Sequence, residues 1–122
     1  MGQICNVNPP AEEAWVEVPV NIDTSKIVFP LSIKAYKRNG IVVVDMQGIT
    51  FAEIGDAQMA GIYGLPKAVC QSNFLLSSVD AASIAQQIGN VVWINAGGTA
   101  INFHIKDNTY RCWGTLIYPT DE

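Results

Sequence analysis

The stretch "LSIKAYKRNGIVVVDMQG", Leu31 to Gly48, decides the fold class. Two alternating runs flank the dipeptide Asn39-Gly40. Both central residues of a type I′ turn need positive φ, which Asn and Gly tolerate. A two-residue loop there fixes the register. Arg38 faces Ile41, Tyr36 faces Val43 and Lys34 faces Asp45, while Ala35 meets Val44 and Ile33 meets Met46. One face then carries opposite charges across from each other and the other carries aliphatics. Turn chemistry and hydrophobic pattern agree, which supports an antiparallel hairpin.

A second stretch, "VVWINAGGTAINFHI" (Val91 to Ile105), reads the same way. With Ala96-Gly97 as a two-residue turn, Ile94 faces Thr99, Trp93 faces Ala100 and Val92 faces Ile101. Val92, Ile94, Ile101, Phe103 and Ile105 then line a buried face. Trp93, Asn102, His104 and Lys106 point the other way.

Between and around these hairpins the chain is largely extended. Residues 1–20 read as an N-terminal arm or attachment segment, with Pro9-Pro10 blocking helix and central strand alike. Within it "WVEVPV" (15–20) is extended, and Pro19 makes it an edge or a strand end. Further strands are expected at Ile49–Phe51, near Met59–Tyr63 and over Phe74–Val79. The last strand, "YRCWGTLIY" (110–118), has apolar residues on both faces, which suits a central strand or an interface. One helix-like piece spans residues 80–89, where Asp80 could cap a helix, Ile84 and Ile88 lie four apart and Gly89 could end it; the piece is short, and the surrounding β-context competes for it.

Short strands with turn signals every 8–12 residues indicate an antiparallel sandwich or small barrel. We therefore expect an all-β chain: an antiparallel β-sandwich, jelly-roll-like, in a single domain over residues 21–122. There is no βαβ alternation and no internal repeat.

Composition narrows the function classes. Of 122 residues 49% are apolar and only 15% charged, so the chain can fill a core but has little charge to cover its surface. Oligomerisation would hide the excess apolar area. The formal net charge is −4, and the basic residues do not cluster beyond Lys37-Arg38. Nucleic-acid binding would need a concentrated basic patch. No apolar run approaches the roughly 20 residues that span a bilayer. The N-terminus "MGQICNVNPP" has neither a basic n-region nor an apolar h-region. Asn6 stands where a myristoylation signal carries Ser or Thr. The cysteines, Cys5, Cys70 and Cys112, are odd in number and form no CxxC pair, which suggests reduced thiols made inside a cell. A single Cys70–Cys112 bridge is compatible with the sequence but not implied by it.

Enzyme chemistry finds no foothold in the pattern. His104 is the only histidine, with no second imidazole or Cys/carboxylate cluster beside it in sequence, so no metal site is expected. There is no GxSxG and no matched Cys–His motif. "NAGG" lies between strands, as a tight turn does, rather than before a helix. Glu12-Glu13 and Asp121-Glu122 sit on terminal segments that hold a two-carboxylate cleft badly. No catalytic residue and no cofactor are assigned. The aromatic residues Trp93, Trp113, Tyr110 and Tyr118 are more informative. Exposed aromatics stack on the C–H faces of sugars, and neighbouring amide, imidazole or guanidinium groups fix the hydroxyls. Trp93, Asn102, His104, Arg111 and Trp113 are the candidates for saccharide binding or for a subunit interface. Core packing and a subunit seam compete for each tryptophan.

The order of elements resembles the distal head (receptor-binding) domains of phage tail receptor-binding proteins and tail fibres. The similar features are "NGIVVVDMQG", then "GLP" at Gly64–Pro66, then "VVWINAGGTAINFHI" and the closing strand in "YRCWGTLIYPTDE". The likeness covers about residues 27–119 and departs at "KAVCQSNF", where such heads often carry a further proline. It implies a trimeric β-sandwich on a virion tail or baseplate that binds host surface saccharide. The N-terminal arm would then contact other virion proteins. Competing readings are a purely structural baseplate or decoration subunit, a cellular carbohydrate-binding module and, last, an enzyme.

Overall fold

The structure, a computed structural model, describes residues 14–28, 30, 32–52, 57–80, 87–107 and 109–122. The strands are β1 (Val16–Val18), β2 (Asn21–Ile22), β3 (Ser32–Arg38), β4 (Ile41–Ile49), β5 (Ala57–Tyr63), β6 (Ser72–Asp80), β7 (Gln87–Ile94), β8 (Ile101–Ile105) and β9 (Thr109–Pro119). They form one antiparallel ladder in the order β1-β3-β4-β9-β6-β7-β8-β5-β2.

The all-β expectation holds, but the strands run as one continuous ladder with no break into two hydrogen-bonded sheets. The sheet curls into a half-barrel. The chain itself enforces that curvature. The two outermost strands, β1 and β2, are consecutive, and only Pro19 and Val20 separate Val18, paired with Ala35, from Asn21, paired with Tyr63. Three Cα–Cα steps span at most about 11 Å, so opposite edges of the ladder are drawn together. Pro19 suits the break because it offers no N–H to a ladder.

The Asn39-Gly40 hairpin has the expected register at every pair, from Arg38↔Ile41 to Ile33↔Met46. Both turn residues have positive φ, 49° at Asn39 and 76° at Gly40. β9 lies between β4 and β6, the central position its two-sided apolar pattern suggested. Of the expected N-terminal arm, residues 1–13 lie outside the described residues. Val16–Val18 pair with β3, so the sheet begins before residue 21.

Of the two readings of residues 80–89, helix-like piece or β-context, the strand holds at both ends. Asp80 ends β6, Gln87–Gly89 open β7, and Val79 pairs with Gln87; residues 81–86 lie outside the described residues. A spacing of four, as between Ile84 and Ile88, satisfies a period of two as well as one of 3.6. The long β6–β7 ladder decides between them.

The interior is mainly apolar, with one buried polar cluster around Asn90. Val42, Val44, Met46, Ile62, Val92, Ile94, Ile101, Phe103, Ile105 and Leu116 are fully buried. Phe51 meets Phe103 edge-on, ring centres 5.0 Å apart. Gly61 sits at a register shift in β5, where a Cβ would come within 3.0 Å of Ile27 and 3.2 Å of Phe103. The C-terminus is tied down over the Gly64–Ala68 segment. The Tyr118 hydroxyl donates to the Pro66 carbonyl at 2.7 Å, and Thr120 bridges to Ala68.

Candidate functional site

Cross-strand partners share a face of a sheet, so the register decides which candidates stand together. Trp93 pairs with Asn102, and Val91 with His104. Ser77 pairs with both Gly89 and Trp113, and Val79 with both Gln87 and Arg111. Gly89, Val91 and Trp93 alternate along β7 on one side. Trp93, Asn102, His104, Arg111 and Trp113 therefore all stand on the outer face of the β9-β6-β7-β8 stretch, and each is half-buried. Their alternating neighbours Asn90, Val92, Phe103 and Cys112 point into the core.

The face is common, but the candidates fall into two groups. Trp93 and Asn102 occupy one end, with Asn73 opposite Trp93 and Ala60 opposite Asn102. His104 lies one row further along, between Val91 and Gln58. Arg111 and Trp113 stand two strands from Trp93. Strand and residue spacing puts the Trp93 and Trp113 backbones roughly 16 Å apart.

Between the groups lies a shallow trough. Its floor is Ser77, exposed and small, and Gly89, where an added Cβ would meet nothing within 4 Å. Trp113 stands at one end of this row. The neighbouring rows bound its sides: Leu75 with Val91 in one direction, Val79 with Arg111 in the other. The floor spans about 10 Å across two strands, and Leu75 and Val79 lie about 13 Å apart along β6.

A bulge shapes the Arg111 end. Val79 pairs with Arg111 but Asp80 pairs with Thr109, so Tyr110 is an extra residue in β9. An extra residue breaks strict alternation and re-aims side chains. Tyr110 and Arg111, adjacent in sequence, consequently lie together, with the guanidinium 5.1 Å from the centre of the exposed Tyr110 ring. The Arg111 Nε is buried and makes no hydrogen bond among the described residues.

Directly beneath the trough the interior is polar. Asn90 Nδ2 donates to Ser78 Oγ and Thr109 Oγ1, each at 3.0 Å, while Asn90 Oδ1 accepts from the Lys106 backbone N–H at 2.8 Å. Thr109 Oγ1 donates to the Lys106 carbonyl at 2.8 Å, and Ser78 Oγ lies 3.2 Å from Cys112 Sγ. The cluster joins β6, β7 and β9 to the turn after β8. Burial pushes the Cys112 thiol above its ordinary pKa, against opposing hydrogen bonds from Ser78 and Asn90. Cys70 is an exposed free thiol.

Sequence reasoning missed Ser77 and Gly89. In the sequence, Gly89 reads as a residue that could end the helix-like piece. The available signal was a glycine inside an alternating run, which marks a place where another group can approach the backbone. A separate apolar hollow of about 300 Å³ lies against Trp15, Tyr36 and Val43 on the β1-β3-β4 side.

Among the described residues, no group of three or more His, Cys, Asp or Glu is placed to hold a metal ion. Among them too, no helix is long and apolar enough to cross a membrane. No family model matches the chain, and no curated protein or solved structure matches it either.

Proposed function

We propose that this chain is a non-enzymatic recognition module that binds saccharide on the outer face of β9-β6-β7-β8. It would act as the host-receptor-binding head of a phage tail fibre or baseplate. The observation that carries the binding reading is the common register of Trp93, Asn102, His104, Arg111 and Trp113 on one face, about a shallow floor of Ser77 and Gly89. Indole faces and polar donors on a rigid sheet are what a sugar requires: an apolar platform for its C–H faces and fixed partners for its hydroxyls. The phage assignment rests on the order of sequence elements between residues 27 and 119.

In this reading the head is a trimer. Trp15 is 48% exposed beside β1 and Ile117 45% on β9, apolar surface that a subunit contact would cover. Ile117 pairs with Val43, next to Trp15 and Tyr36, so the β1-β3-β4 side and the Ile117 end of β9 would offer the subunit contact, and β6-β7-β8 with the Arg111–Trp113 end of β9 would stay free for ligand.

A glycan array probed with the purified protein tests the binding reading, and light scattering tests its assembly. Binding to at least one glycan class by a particle of three chains is expected. A protein that binds no glycan but pulls down other virion components would instead be a structural subunit. The exposed Leu75, an apolar anchor suited to a protein partner, favours that second reading.

A further inference from the structure

The geometry points to a carboxylate-bearing saccharide as the ligand, seated over Ser77 and Gly89 with its ring on Trp113 and its carboxylate on Arg111. This deepens the saccharide reading above and rests on it.

Three observations converge. First, the floor is open by construction: Gly89 leaves room where any other residue would place a side chain, and it does so with ordinary φ. No backbone requirement explains a glycine there. In the middle of a strand, glycine is otherwise a poor choice. Second, Arg111 borders the trough in the row next to Trp113. Its side chain is half-exposed. A guanidinium offers a carboxylate paired, charge-assisted donors in one plane. Third, Tyr110, placed by the bulge, covers the guanidinium on one face and fixes its plane. The arginine is thereby held ready for a ligand that approaches edge-on.

The charge balance of the face agrees. Among the described residues, Arg111 and the exposed Lys106, whose backbone N–H is tied to Asn90, bring positive charge to this part of the face, and the exposed Asp107 beside Lys106 brings one negative charge. Val79, Val91, Ser77 and Trp113, which surround the floor, are neutral. A carboxylate there meets positive charge locally, although the whole chain carries −4. Neutral sugars would use Trp113 but not the charge of Arg111.

The test uses the full chain, an array of uronate- and sialate-bearing oligosaccharides, and their neutral methyl-ester or desialylated counterparts. Acidic glycans should bind, and their neutral counterparts should bind at least tenfold more weakly. Arg111→Gln should lose at least tenfold on the acidic glycans and little on any residual neutral binding. Gly89→Val fills the floor from the solvent side, should leave the circular dichroism spectrum unchanged, and should abolish binding. If Arg111→Gln fails to fold, the Gly89→Val result decides the seat and the charged-to-neutral ratio decides the chemistry. Equal binding of acidic and neutral forms overturns the carboxylate inference but leaves saccharide recognition intact. Acidic binding that survives Gly89→Val overturns the seat. Absence of binding to every glycan overturns both this inference and the reading beneath it.

Discussion

Asn90 and Ser78 form a hydrogen bond of 3.0 Å inside the half-barrel, and both side chains are shut off from solvent. The Asn90 amide also serves Thr109 and the Lys106 backbone N–H, so one side chain satisfies groups on β6, on β9 and in the turn after β8. Buried polar groups that lose their partner carry the full desolvation cost, on the order of 1–3 kcal/mol each. Asn90→Ala should therefore lower stability by about 2–4 kcal/mol, read as a lower urea midpoint. A change under about 0.5 kcal/mol, the range of an ordinary surface substitution, would mean the network contributes little.

Gly40 has φ of 76°, and a Cβ there would lie 3.2 Å from the Thr120 carbonyl oxygen. Gly40→Val forces a β-branched residue into the left-handed region at a cost of about 1–2 kcal/mol. It also crowds the Thr120 N–H bond to the Gly40 carbonyl, which holds the C-terminal segment. A clear fall in melting temperature is expected, and an unchanged one would contradict the type I′ geometry.

The two hairpins show how far a sequence can carry the reading. At Asn39-Gly40 the turn type and the strand twist agree, and the register follows pair by pair. At Ala96-Gly97 the turn exists, closed by the Gly98 N–H on the Asn95 carbonyl. Gly97 is at φ 74°, while Ala96 is not among the positive-φ residues, the pattern of a type II turn. Such a turn splays the flanking strands. Gly98 and Thr99 carbonyls instead accept from Ala68 and Leu65, a distant segment no local pattern reveals. The β7–β8 register is consequently Trp93↔Asn102 rather than Trp93↔Ala100. The offset is two residues, an even number, so every side chain keeps its expected face. The placement of Arg111 and Trp113 beside Gly89 was not legible, because it depends on β6 lying between β9 and β7.

Cys70 and Cys112 should react at very different rates with iodoacetamide. Cys70 is exposed; Cys112 is fully buried, and burial raises its pKa, which lowers the thiolate fraction further. Peptide mapping after a short pulse at pH 8 should find Cys70 labelled and Cys112 protected until denaturant is added. Equal labelling would show that the interior beneath the trough opens readily.

Tyr118 supplies the pH dependence. Its phenol is fully buried and held above the ordinary value of 10.0, mainly by burial and secondarily by the Glu122 carboxylate. A group whose pKa is higher folded than unfolded binds its proton more tightly in the native state. Its contribution is therefore intact below the unfolded value near 10 and declines as pH rises above it. Thermal unfolding at increasing pH should show stability falling above about pH 10, with a shallower fall in Tyr118→Phe. That variant also loses the bond to the Pro66 carbonyl, at a cost of about 0.5–1.5 kcal/mol near neutral pH. The same alkaline slope in both proteins would assign the effect to other groups.

The two faces of the β7–β8 hairpin give the sharpest contrast in outcome. Ile101 is fully buried and Asn102, the next residue, is on the outer face across from Trp93. Ile101→Asp puts an unpaired carboxylate among Ile62, Phe103 and their neighbours, and should cost more than about 4 kcal/mol, enough to unfold a domain of this size. Asn102→Ala removes an amide whose described bond is a long one, 3.5 Å to the Ala100 carbonyl, and should change stability by less than about 0.5 kcal/mol. It should nonetheless weaken glycan binding or assembly, because it strips the polar group beside Trp93 while leaving the indole in place. Chemical denaturation separates the folding effects, and array binding with light scattering reads the functional one. If Ile101→Asp unfolds the chain and Asn102→Ala leaves both binding and assembly untouched, the Trp93 end of the outer face is only the wet side of a sheet. Recognition would then be confined to the Trp113–Gly89 trough.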